Sequence, residues 1–161
     1  MNRGVVTALL SIFAAQALKI PLHFFKTGKW KPMLFFQTGG MPSSHSAGVS
    51  SLTTFIALKR GFSTIDFALS FIFGLIVMYD AQGIRRQTGE LTLKVNSLDE
   101  LVRKAHEDQP IPFEEKPMRL KEMLGHQPVE VIGGAIFGAV VGSLSFLLGK
   151  KDRQKGRFFV R

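Results

Sequence analysis

The chain contains no cysteine, which removes disulfides, thiolate metal sites and every mechanism built on a cysteine nucleophile. Tyr and Trp are almost missing too, with one of each against 15 Phe. RNA-binding surfaces usually join basic residues to stacking aromatics that include Tyr, so this balance favours lipid and argues against a nucleic-acid partner. Acids are scarce: 12 Asp and Glu stand against 21 Lys and Arg, a formal net charge of +9. Such an excess suits anionic partners, here acidic lipid headgroups or a phosphorylated substrate. No Asp/His cluster has metal-ligand spacing, so neither a metal nor another cofactor is expected. At 161 residues the length fits one domain.

What the chain does have is apolar sequence gathered into blocks, with the charges between them. Residues 5–25 and 129–148 reach the roughly 20 apolar residues that a bilayer span needs. Residues 65–79 reach it when 81–84 are added. Residues 47–58 are shorter and rich in Ser and Thr, so that helix must be shielded from lipid by the others. The reading is an all-α, polytopic membrane helix bundle of about four transmembrane helices. Arg3 gives the first block the charged start of a signal peptide, but no small-residue cleavage site follows and it is expected to be retained. The 87–125 insert places Leu91, Val95, Leu98, Val102 and Ala105 on one stripe, an amphipathic helix for the membrane surface or the bundle. Residues 109–117 read as a Pro-punctuated loop. Residues 1–149 are taken as one membrane-embedded domain and 150–161 as a basic tail that meets anionic lipid.

Residues 39–46 read Gly-Gly-Met-Pro-Ser-Ser-His-Ser. Unpaired N–H groups at a helix start, at its positive dipole end, form an anion site, and a His beside it can move a proton. Ser caps with Pro in a first turn are also ordinary helix punctuation. A second His lies in Gly125-His126-Gln127-Pro128-Val129-Glu130. Four residues apart, Glu130 can accept from one imidazole nitrogen of His126 and leave the other free as nucleophile or base; alternatively it stabilises a helix start.

Alternating spans turn this order into a spatial expectation. Lys19 near the end of the first, Ser44 and His45 opening the second, Asp80 with Arg85 and Arg86 closing the third, and His126 and Glu130 opening the fourth all fall at one membrane surface. Arg85 and Arg86 read either as an interface anchor or as bidentate phosphate ligands, and Asp80 at such depth needs a cationic partner. Lys19 either faces a polar cavity or snorkels. Gly134, Gly138 and Gly142 recur every four residues, which permits close helix packing within the chain or, less directly, a homodimer.

Together these residues resemble the type-2 phosphatidic acid phosphatase superfamily, which includes the vanadium-dependent haloperoxidases, and in particular its short divergent branch. Pro42-Ser43-Ser44-His45 is similar to one signature segment, with Ser44 where Gly is usual. His126 to Glu130 is similar to another, with Glu130 replacing Asp. The likeness runs from Lys19 to Gly142. The Arg expected before Pro32 is missing, so Lys19 stands as the phosphate-binding lysine with Lys31 as the alternative. Arg119 is one residue out of register before His126, and Arg85 or Arg86 is the substitute. The resemblance implies an integral membrane phosphatase of a bacterial cytoplasmic membrane or organellar equivalent. His126, oriented by Glu130, would be the nucleophile and His45 the acid; Lys19, Ser43, Ser44, Arg85 and Arg86 would bind phosphate, with Asp80 orienting. The substrate would be a lipid phosphate monoester or a prenyl diphosphate; phosphatidylglycerophosphate, phosphatidate and polyprenyl diphosphate all fit. A non-enzymatic membrane scaffold or anionic-lipid binder is the alternative.

Overall fold

The structure, a computed structural model, describes residues 2–37, 39–105, 120 and 125–158, with side chains to residue 150. Arg119 and the 109–117 loop lie outside the described residues. Five helices follow in order: α1 (Arg3–Thr27), α2 (Ser44–Arg60), α3 (Ile65–Gln82), α4 (Ile84–Ala105) and α5 (Pro128–Phe158). A 3-10 turn, Pro32–Phe36, sits between α1 and α2. Among the described residues there is no strand.

The bundle is built around α2, which packs against α1, α3 and α5. Its buried residues are Ser44, Ser46, Ala47, Gly48, Ser51, Phe55 and Ala57, and the buried face of α1 is similarly small at Thr7, Ser11 and Ala15. Large apolar side chains point outward instead, among them Leu10, Phe13, Ile76, Ile136 and Leu144. Lipid tails are as apolar as Leu, so only close van der Waals contact and interhelical hydrogen bonds hold such helices together. Those bonds are present. Ser11 Oγ donates to Ala47 O at 3.0 Å, Ser50 Oγ to Ala135 O at 2.7 Å and Thr53 Oγ1 to Ser70 O at 3.1 Å.

The glycine stripe of α5 makes the closest contact. A Cβ at Gly134, Gly138 or Gly142 would stand 2.3, 2.3 and 2.5 Å from the carbonyl oxygens of Ser43, Ala47 and Ser51. Both series ascend by four, so α2 and α5 run parallel, backbone against backbone. Within the chain, this stripe is the face on which α2 packs.

Among the described residues three stretches are long and apolar enough to cross a membrane: Arg3–Thr27, a window within Ile65–Ala105, and Pro128–Lys150. The count of four expected from sequence included α2, whose 17 residues span about 25 Å against a hydrocarbon layer of about 30 Å. It is enclosed by the other helices, which is what its Ser and Thr content requires. The third span ends earlier than expected. The helix is interrupted at Gly83, so Arg85 and Arg86 open α4 instead of closing α3. The amphipathic helix α4 starts before the 87–125 insert and contacts only α3 among the described elements. Its stripe of Leu91, Val95, Leu98 and Val102 stays exposed, as a helix lying on a membrane surface requires. Pairs Arg86–Glu90, Asp99–Arg103 and Glu100–Lys104 brace the polar side. Helix α5 continues without a break past residue 149 to Phe158.

Gly138→Leu is expected to force α2 from α5 and to destabilise the detergent-solubilised protein by about 1–3 kcal/mol, as overpacking does. Val140→Leu, on the exposed side of α5, should leave the melting temperature unchanged in the same thermal scan.

Candidate active site

Two backbone hydrogen bonds assemble the site. The N–H of Ser43 donates to Glu130 O at 3.0 Å, tying the Gly-Gly-Met-Pro-Ser-Ser-His-Ser segment to the first turn of α5. The N–H of His126 donates to Ala81 O, also at 3.0 Å, tying the approach to α5 onto the end of α3. Gly125 is needed for this crossing, since a Cβ there would lie 2.3 Å from the Arg86 backbone nitrogen. Helix α2 begins with Ser43 as cap, its Oγ accepting from the Ser46 N–H and hydroxyl. The N–H groups of Ser44 and His45 precede the first intrahelical bond, that of Ala47.

Helix α5 starts with Pro128, and Glu130 in its first turn reaches back to accept from the Gln127 N–H at 3.1 Å, as the acid of a capping box does. The same Oε2 lies 2.9 Å from His126 Nδ1. The two readings of this carboxylate, helix cap and histidine partner, are therefore both realised. His126 is buried, 4% exposed, and the bond to Glu130 places its Nε2 at the other edge of the ring. Burial holds this imidazole below the ordinary histidine value, while the hydrogen bond and charge of Glu130 pull it back upward. The His45 ring stands at 6.1 Å between centroids, edge-on at 69°.

Lys19 is 4% exposed, its Nζ donating to Gly39 O at 2.7 Å and Gln37 O at 3.4 Å. Gly39 and Gly40 have φ of 83° and 80°, a left-handed path that glycine follows without strain. Arg85 pairs through Nε with Asp80 Oδ2. The charges of Lys19 and Arg85 act on both imidazoles. The structure thus brings together His45, His126, Glu130, Lys19, Ser43, Ser44, Asp80 and Arg85. Arg86 pairs through Nε with Glu90 on its own helix, at 3.0 Å. Lys31 flanks the 3-10 turn. The sequence reading had not singled out the carbonyls of Gln37 and Gly39 or the Gly125 crossing. Buried Lys and paired Gly were the signals for them. Among the described residues no three His, Cys, Asp or Glu side chains converge as a metal site requires.

Helices of spanning length and a membrane-protein relative define an integral membrane protein. Residues 1–141 match the divergent PAP2 family, and the chain belongs to that family. It is similar to an uncharacterized membrane protein, YuiD, of Bacillus subtilis (strain 168), at 40% identity over 144 residues, covering 87% of this chain and 91% of the relative. No solved structure matches the chain.

Glu130→Gln removes the charge that favours the imidazolium. The His126 protonation midpoint, followed by ¹⁵N ring shifts in detergent micelles, is expected to fall below that of the wild type. An unchanged midpoint would mean that the carboxylate does not govern this ring.

Proposed function

We propose that this protein is a membrane phosphatase that hydrolyses a lipid phosphate ester or diphosphate through a phosphohistidine. The observation that carries the reading is the bond between His126 Nδ1 and Glu130, 2.9 Å, with a second imidazole 6.1 Å away. In the first step the Nε2 lone pair of His126 attacks phosphorus in line and the bond to the leaving oxygen breaks. That oxygen takes the electron pair and a proton from His45. In the second step water attacks the phosphoryl group, His45 accepts its proton, and the P–N bond returns its electrons to His126.

Charge developing on the equatorial oxygens needs fixed donors. Lys19 has three N–H donors and gives two to carbonyls, which leaves one for phosphate. Arg85 holds Asp80 through Nε, so its terminal nitrogens are available for bidentate contact. The N–H groups of Ser44 and His45 at the start of α2 supply the remainder.

The test is phosphate release by purified protein from phosphatidate, phosphatidylglycerophosphate and polyprenyl diphosphate in detergent, with and without EDTA. Turnover should be indifferent to EDTA. His126→Ala and His45→Ala should each lower it about 10³-fold or more, and Glu130→Gln by about 10- to 100-fold. Acid-labile, base-stable radiolabel should appear on the wild type and not on His126→Ala. Folded wild-type protein that releases no phosphate from any of the three would sink the proposal.

A further inference from the structure

Lys19, His23 and Lys26 follow one another at four and three residues, a single stripe of α1, and all three line one cavity of about 250 Å³. Glu130 is the acid on that wall, and its Oε2 already accepts from His126 and from the Gln127 N–H. The cavity therefore shares Lys19 and Glu130 with the proposed catalytic centre, and Glu130 is the partner of His126. It also carries two nitrogen donors, on His23 and Lys26, for which hydrolysis of one phosphate has no use.

Depth separates the two parts of the stripe. Counting from Arg3, Lys19 lies about 24 Å along α1, His23 about 30 Å and Lys26 about 34 Å. Across a hydrocarbon layer of about 30 Å, His23 and Lys26 reach the plane of the lipid phosphates while Lys19 stays roughly one turn beneath it. Trp30, well exposed just beyond α1, marks the same interface, where amphipathic aromatics settle.

We infer that His23 and Lys26 hold a second anionic group of the same substrate, so that the preferred substrate is a lipid bearing two phosphates. The scissile phosphate is drawn down to Lys19 and His126. The other remains at headgroup depth, between the His23 imidazole and the Lys26 ammonium. A lipid with a single phosphate fills only the deeper half. This inference rests on the phosphatase reading for the word substrate, whereas its binding test does not.

The experiment measures binding by calorimetry to detergent-solubilised His126→Ala protein, which holds ligand without turnover. The probes are propyl phosphate and propane-1,3-diyl bisphosphate. The bisphosphate should bind about tenfold or more tightly than the monophosphate, as added charge-assisted hydrogen bonds imply. Adding His23→Gln and Lys26→Met should erase that preference while leaving monophosphate affinity in place. Both positions lie on the outer, accessible part of α1, so folding is expected to survive, and circular dichroism checks it. Equal affinities for the two probes, or a preference that survives the double substitution, would overturn the inference. A preference that disappears on cue, in a protein that hydrolyses no lipid phosphate, would instead uphold a bis-anion site and discard the phosphatase.

Discussion

The approach of α2 to α5 is the constraint on which everything else depends. With glycine at 134, 138 and 142 the two backbones touch at Ser43, Ala47 and Ser51, and any Cβ would wedge them apart. Because the helices run parallel, their beginnings come together, and each beginning carries a histidine. Parallel packing also converges two positive dipole ends on one spot, a field that suits an anion. The carbonyl of Glu130 accepting from the Ser43 N–H then fixes the register between them.

A buried ammonium inside a bilayer demands partners, and the chain supplies them from backbone. Gly39 and Gly40 turn through positive φ, and the carbonyl of Gly39 meets Lys19 at 2.7 Å. Carbonyls hold the lysine in place without cancelling its charge, as a carboxylate would. Arg85 is treated differently: Asp80 takes its Nε and fixes the orientation of the fork. One cation is thus positioned by dipoles and the other by an acid, beside two rings that both feel their charges.

Most of this placement was legible in the order of residues. Apolar blocks gave the helices, and alternation put His45, Asp80 and His126 at the same end. The four-residue gap from His126 to Glu130 gave their bond. Helix interruption at Gly83 was not legible, since an isolated Gly in an apolar run is tolerated as often as it breaks. The side-chain direction of Arg86 depended on that break, because only inside α4 does Glu90 fall four residues away on its own helix. The partner of the glycine stripe was equally hidden: spacing says that something packs closely, but not which helix. The enclosure of α2 was legible, since its short length and its Ser and Thr content require shielding by the other helices.

Three bonds join the first turn of α5 to its surroundings: Ser43 N–H to Glu130 O, His126 N–H to Ala81 O, and Glu130 Oε2 to His126 Nδ1. Transmembrane helices meet a thicker or thinner bilayer mainly by tilting. Here a tilt of α5 carries the starts of α2 and the end of α3 along with it. Tied in this way, the two imidazoles would travel together, and a change of membrane thickness would reach the site as a displacement of the whole cluster relative to the headgroups.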